Sequence, residues 1–401
     1  MIEGFSLSVS SIICSLTFII SFFNPIYFPQ YNILKYFSLV IIGLFIIKNA
    51  SLILLKKFLP INFFLVCFSF LVIISAYLNL YRETVRNPFL AAIVFSGTLL
   101  EMFFVMEIMS ELGMTLKMLD IYFKLSVILA LITEFIALFL PSFANNNRDI
   151  YLIGTKFQVA YIHYLIIAFY IIRNIINRSL KFNKVFIVLC IWAFIINIYT
   201  QCATGIVGVM LLVTLGFAFN SERNILLHSY TFLIIAILSF IFVFIADWVL
   251  KNPLVEYIVV DLLHRDVTLT SRTIIYSRAM DLLPGNLLWG FGYGSAYELG
   301  SELGGFSNTQ NAILNWIWQC GIPTTIIMIV FITLIFHYSI KNSEVNRAII
   351  MPVFCLAYVF VILGAIEVTF DSIFFGVLSV LILIANTEDN IVNITVDEKI
   401  I

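Results

Sequence analysis

Long apolar runs alternate with short polar interruptions along most of the chain. Bounding each run by charge or by Pro/Asn clusters gives about twelve segments of membrane-spanning character. They cover residues 5–23, 31–47, 58–80, 88–109, 120–140, 151–172, 184–200, 203–219, 226–247, 311–338, 349–365 and 370–386. The seventh and eighth are split only at Thr200–Cys202, and Pro323 is expected to kink the tenth. Continuous runs of this length suit helices crossing a hydrocarbon core of ~30 Å, whereas a membrane barrel would show alternating strands of ~10 residues. The expected fold class is therefore all-α: a polytopic membrane protein with one large external loop. Residues 1–247 hold spans one to nine, 248–310 the loop, 311–386 spans ten to twelve, and 387–401 a tail.

Composition agrees with this pattern. The 401 residues are 62% hydrophobic and only 11% charged, against about a quarter charged in soluble domains. A net charge of −1 without a basic cluster gives no reason to expect nucleic acid. The first run lacks a basic leader and ends in SFFNPIYFP rather than a small-residue cleavage site, so it reads as a span, not a signal peptide. All six cysteines lie in or beside apolar runs and read as small core residues rather than a disulfide framework.

Charge also orients the chain. Short loops on one side hold Lys48, Lys56, Lys57, Lys117, Arg173, Arg178, Lys181, Lys184, Arg223, Lys341 and Arg347; those on the other hold Arg82, Arg86 and Arg148. The positive-inside bias places both termini and the 387–401 tail in the cytoplasm, and the 248–310 loop outside the cytoplasmic membrane. No internal repeat of the kind found in symmetric transporters is visible.

The loop concentrates the polar residues. SRTIIYSRAMDLL reads as a short amphipathic helix, capped by Thr270 or Ser271 and stopped by Pro284-Gly285. Arg272 stands in its first turn, where free N–H groups favour an anion; Arg278, six residues on, diverges from it by roughly 120° on an ideal helix. These arginines either hold a phosphate-bearing ligand or snorkel to lipid headgroups. GFGYG (Gly290, Gly292, Gly294) follows a helix and lacks a downstream Lys-Ser/Thr; it reads as a flexible turn, not a nucleotide loop. In SNTQNAILNWIWQCGIP, Asn308 or Thr309 suits an N-cap, and Trp316 and Trp318 suit a water–lipid boundary. Asn308, Gln310 and Asn311 can equally hydrogen-bond a sugar. Glu101, Glu107, Glu134, Lys156, His163 and Glu367 read as ionisable groups within spans, which usually face a cavity or a partner. Lys156 lies toward the loop side, where it can reach an anionic headgroup. No metal-ligand spacing and no Ser-His-Asp order stands out. Glu256, Asp261, Asp266, Asp281, Glu298 and Glu302 of the loop are all open as a general base.

Three segments together resemble the bacterial O-antigen ligase/polymerase superfamily, most closely its Wzy-type polysaccharide repeat-unit polymerases. The strongest is TLTSRTIIYSRAMDLLPGNLLWGFGYG followed by NTQNAILNWIWQCGIP; YLIGTKFQVAYIHY and TQCATGIVGVM are weaker, and together they lie within residues 148–340. The resemblance implies a GT-C-like membrane enzyme, an inverting and metal-independent glycosyltransferase using no cofactor. Its substrate would be an undecaprenyl-diphosphate-linked oligosaccharide, and its partners membrane lipid, a chain-length regulator and a flippase. By the same resemblance Arg272 matches the family's loop arginine and, with Arg278, would act on the diphosphate. Asn311 matches the family's asparagine, and Lys156, Arg265, Asn308 and Asn311 would bind substrate. Gln310 stands where the family usually has a histidine proposed as base, and glutamine cannot accept a proton. The base is then His264 or a loop carboxylate, or positioning and leaving-group stabilisation carry the reaction. Ala203-Thr204 replaces an arginine typical of the ligases, which favours polymerase over ligase. A lipid-linked oligosaccharide flippase is the alternative outside enzymes.

Overall fold

The computed structural model describes the chain except residues 1, 24, 26–29, 86, 140–149, 178, 180–181, 219–227, 251, 254–256, 258–270, 343–346 and 388–401. His264 and Arg265 fall outside the described residues, as does nearly all of the tail.

Each predicted apolar run coincides with a helix. These are α1 (Ile2–Phe22), α2 (Gln30–Lys48), α3 (Leu59–Leu78), α4 (Pro88–Glu111), α5 (Thr115–Phe139) and α6 (Lys156–Ile176). They continue with α7 (Lys184–Tyr199), α8 (Ala203–Ala218), α9 (Ser229–Leu250), the loop helix α10 (Arg272–Leu282), α11 (Ala312–Asn342), α12 (Arg347–Leu363) and α13 (Ser372–Ala385). Among the described residues the one strand pairing is a hairpin of β1 (Ile150–Tyr151) with β2 (Gly154–Thr155). Seven helices (α2 to α6, α9 and α11) are long and apolar enough to cross a membrane; α7, α8, α12, α13 and the described part of α1 are apolar but shorter. The chain is an all-α multi-pass membrane protein.

Burial divides the helices into two groups. Every residue of α13 from Ile373 to Ala385 is buried, and so is almost all of α12. Peripheral α2 instead exposes Ile33, Phe37, Val40, Leu44 and Ile47 along one face. Water would penalise such a face, whereas lipid tails accept it without cost. At the centre Trp316 of α11 packs its ring on Phe68, Phe95 and Phe375, joining α3, α4 and α13.

The polar insertion sits at one end of this bundle, where it docks by its backbone. Gly321 breaks α11 (φ 81°, ψ 174°), so the break lies two residues before the proline expected to cause it. Pro323 contributes differently: without an N–H it leaves the Gln319 carbonyl free. That carbonyl accepts from Gly292 N–H at 2.9 Å and shares the single proton of the Ser75 hydroxyl of α3 (3.1 Å) with Trp289 O (2.7 Å). Phe291 N–H donates to Trp318 O and Ile322 N–H to Leu287 O, each at 2.8 Å. The backbone groups released by the break are thus satisfied by residues 287–292, as buried irregular backbone requires. A Cβ on Gly321 would lie 2.2 Å from Leu288 O, and one on Gly290 2.6 Å from the Gln319 carbonyl carbon. The GFGYG segment is therefore a fixed seam rather than a flexible turn. Trp318 and Trp316 are likewise interior, not an aromatic belt: their indole N–H groups donate to Ala296 O (3.0 Å) and Phe370 O (2.9 Å).

Candidate functional site

Four helix starts meet the insertion at the same end of the bundle. Asn87 caps α4 by accepting Leu90 N–H at 3.1 Å, and Asp371 caps α13 by accepting Ile373 and Phe374 N–H. Gln158 closes a capping box on α6 by accepting Thr155 N–H at 2.8 Å. At α11 the cap is Asn311, not Asn308 or Thr309: its Oδ1 accepts Ile313 N–H (3.1 Å) and Leu314 N–H (3.0 Å). Its Nδ2 donates to Ser239 O of α9 at 2.9 Å and Ala365 O at 3.2 Å. Asn311 is fully buried and spends its amide on the fold, so it has no polar edge to offer a sugar.

Arg272 is the centre of the side-chain cluster. Its Nη2 lies 3.3 Å from Glu367 Oε2, in the turn between α12 and α13, and its Nε donates to Gln310 Oε1 at 3.3 Å. Its Nη1 has no hydrogen-bond partner among the described residues. One turn along α10, the Tyr276 hydroxyl lies 3.1 Å from both Gln310 O and Ala365 O and shares its single proton between them. Arg272 and Tyr276 thus lie on the face of α10 that ties the 310 turn to the 364–367 turn.

Backbone strain is concentrated beside this arginine. Ser271 (φ 65°) and Gln310 (φ 52°) both occupy the left-handed region. In that conformation Ser271, one of the two expected caps, forms no side-chain cap on α10; Thr270, the other, lies outside the described residues. Gln310 is held by Asn308, whose Oδ1 accepts both Gln310 N–H (3.0 Å) and Gln310 Nε2–H (2.7 Å). Strained residues that surrounding contacts hold in place are a recurring mark of functional positions.

Electrostatics make Glu367 the unusual member. Only 4% exposed, it lies between the two spans rather than inside one. Burial pushes its carboxyl up from the ordinary range, while Arg272, the Val368 N–H (3.2 Å) and the charge of Lys156 pull it back. Lys156 is the first residue of α6, at the insertion end, not within the span. Burial likewise raises the Tyr276 phenol, keeping it a neutral donor.

The structure therefore brings together Arg272, Gln310 and Asn308, with Lys156 near enough to act on Glu367. It does not bring Arg278 in: that side chain turns away, as the helical angle implied, and its Nη1 donates to Gly304 O at 2.7 Å. Among the described residues no group of three His, Cys, Asp or Glu is arranged to hold a metal ion. Sequence reasoning noted Glu367 but left it unassigned to the site. Its signal was an acid in IEVTFD, four residues before the helix-capping Asp371, between two apolar runs and at the same end as the loop. What the cluster can do is bind an anion at the free edge of Arg272 beside a buried carboxylate that can take a proton. Comparison with protein-family models and with curated proteins finds no match for this chain.

Proposed function

We propose that this protein joins lipid-linked oligosaccharide repeat units into a surface polysaccharide at the outer face of the cytoplasmic membrane. In this reading the seven long apolar helices and the five shorter ones all cross the bilayer and both termini are cytoplasmic. The observation that carries the reading is the guanidinium of Arg272, held from one side by Gln310 and Glu367, with no partner for its Nη1 among the described residues. A diphosphate leaving group is a doubly charged partner for such a fork, and Lys156 adds a second positive charge at the same end. As the acceptor hydroxyl attacks the anomeric carbon, its proton passes to Glu367 and the sugar–phosphate bond breaks. The electron pair leaves with the undecaprenyl diphosphate, whose growing charge Arg272 stabilises. Gln310 and Asn308 then orient the arginine instead of moving a proton, which accounts for a glutamine where the related enzymes usually have histidine.

Purified protein in lipid vesicles with undecaprenyl-diphosphate-linked oligosaccharide tests this reading. The wild-type chain is expected to lengthen the oligosaccharide, and Arg272→Lys to lower that rate by about a hundredfold or more while leaving protein abundance unchanged. Wild-type protein that only moves the lipid across the bilayer would make it a flippase, and normal lengthening by Arg272→Lys would end the assignment of that residue.

A further inference from the structure

A second cluster of ionisable side chains lies away from the loop, among α5, α6 and α7. His163 is 1% exposed, and its Nδ1 lies 2.8 Å from Val159 O while its Nε2 lies 2.9 Å from Glu134 Oε1. The other carboxylate oxygen, Glu134 Oε2, accepts the Trp192 indole N–H at 2.8 Å. The rings of His163 and Trp192 meet edge-on at 4.9 Å. Glu134 is five residues from the end of α5, His163 seven from the start of α6, and Trp192 seven from the end of α7. All three therefore sit roughly 8–11 Å below the insertion end.

These contacts constrain where protons can sit. A carbonyl only accepts, so the contact with Val159 O requires a proton on Nδ1. A neutral imidazole so protonated presents a bare lone pair at Nε2, facing a carboxylate oxygen that also has only lone pairs. Neither atom has a hydrogen-bond partner of good geometry among the described residues, so two buried lone pairs would face each other at 2.9 Å unless one further proton lies between them. Trp192 can only donate, so it occupies Oε2 as acceptor and leaves Oε1 as the atom that shares this proton. With it the pair is net neutral, which explains how a glutamate and a histidine are tolerated in apolar spans.

We propose that Glu134 and His163 form an intramembrane proton-binding site, holding one proton between Oε1 and Nε2 under the indole of Trp192. The neighbouring ionisable groups are directed elsewhere. The Tyr164 hydroxyl donates to Gly205 O at 2.8 Å, Tyr161 packs its ring on Phe360, and the Tyr199 hydroxyl donates to Ala137 O. Lys124 of α5 pairs with Asp120, and α8 has no ionisable residue. The site stands two turns below Lys156 on α6, and it is independent of the sugar-transfer reading.

The experiment uses the full chain in lipid nanodiscs at neutral pH, with histidine ring nitrogens labelled for magnetic resonance and with infrared spectra taken in parallel. A variant lacking His228, His264 and His337 leaves the His163 signal unambiguous. The expected result is Nδ1–H together with either a protonated Nε2 or a protonated-carboxyl stretch that disappears in Glu134→Gln. The wild-type spectrum decides alone if that variant fails to accumulate. A neutral His163 beside an ionised Glu134, or a bare Nδ1, would overturn the site.

Discussion

The polar insertion contains two segments that meet the bundle differently. Residues 287–292 dock through backbone groups onto the break in α11: the Phe291, Gly292 and Ile322 N–H groups cross the seam to carbonyls at 2.8–2.9 Å. Around Arg272 the contacts are between side chains, longer, and partly open. Its two bonds are both 3.3 Å, and the residues supporting it, Ser271 and Gln310, are in left-handed conformations. Backbone pairing of the first kind specifies position and leaves nothing for a ligand. An arginine held on one side by a carboxylate and an amide is poised for an anion on the other. The seam is the scaffold, and the Arg272 cluster is what the scaffold presents.

The sharpest way to break that division is Gly321→Ala. Its φ/ψ region is one that glycine alone occupies readily, and a Cβ would strike the Leu288 backbone. Expected is a loss of at least about 3 kcal/mol, read as a collapse of folded yield and thermal midpoint in detergent. Wild-type stability would show that the loop is not locked by this seam.

How much of this was legible beforehand follows from the physics of each part. The apolar runs mark the helices because lipid demands continuous hydrophobic length whatever the partners are. Thus even the narrow Thr200–Cys202 division between α7 and α8 falls where the runs were split. The seam was half legible: Pro323 announces a free carbonyl at Gln319, but not which N–H fills it. Trp316 and Trp318 look like boundary residues in a one-dimensional pattern; only packing reveals that their N–H groups serve Phe370 and Ala296. The meeting of Arg272 with Glu367 joins positions 95 residues apart. No local spacing encodes it, so the acid was visible and its partner was not.

A smaller change separates the cluster from the scaffold. If Glu367 is the proton acceptor, Glu367→Gln lowers chain lengthening by about a hundredfold or more without disturbing the seam. The pH profile gives an independent readout. Burial raises this carboxyl above its ordinary value of 4.5. The ionised, base-competent form therefore accumulates only above the usual carboxylate range. Wild-type activity should rise with pH through a limb displaced upward from that range, and the limb should vanish in Glu367→Gln. The contribution to stability has the opposite sense: a raised carboxyl binds its proton more tightly in the folded chain, so stability is fullest at low pH and declines as pH rises through the folded value. An unchanged profile in the variant would leave Glu367 a mere partner of Arg272, while Arg272→Lys would still test the reading as a whole.

The smallest effect is expected at the glutamine that orients the arginine. Gln310 holds Arg272 through Oε1 and is itself held by Asn308 at φ 52°. Histidine is among the non-glycine residues that enter the left-handed region most readily, so the backbone accepts Gln310→His. A neutral ring also keeps one acceptor nitrogen for the arginine and one donor for Asn308. If the glutamine orients Arg272 and Glu367 moves the proton, this variant retains chain lengthening with the Glu367-dependent limb intact. A chain-length gel and the same pH profile measure it. Should Gln310→His instead restore activity to Glu367→Gln, the proton acceptor would belong to position 310, and the division between an orienting amide and a proton-accepting carboxylate would have to be reversed.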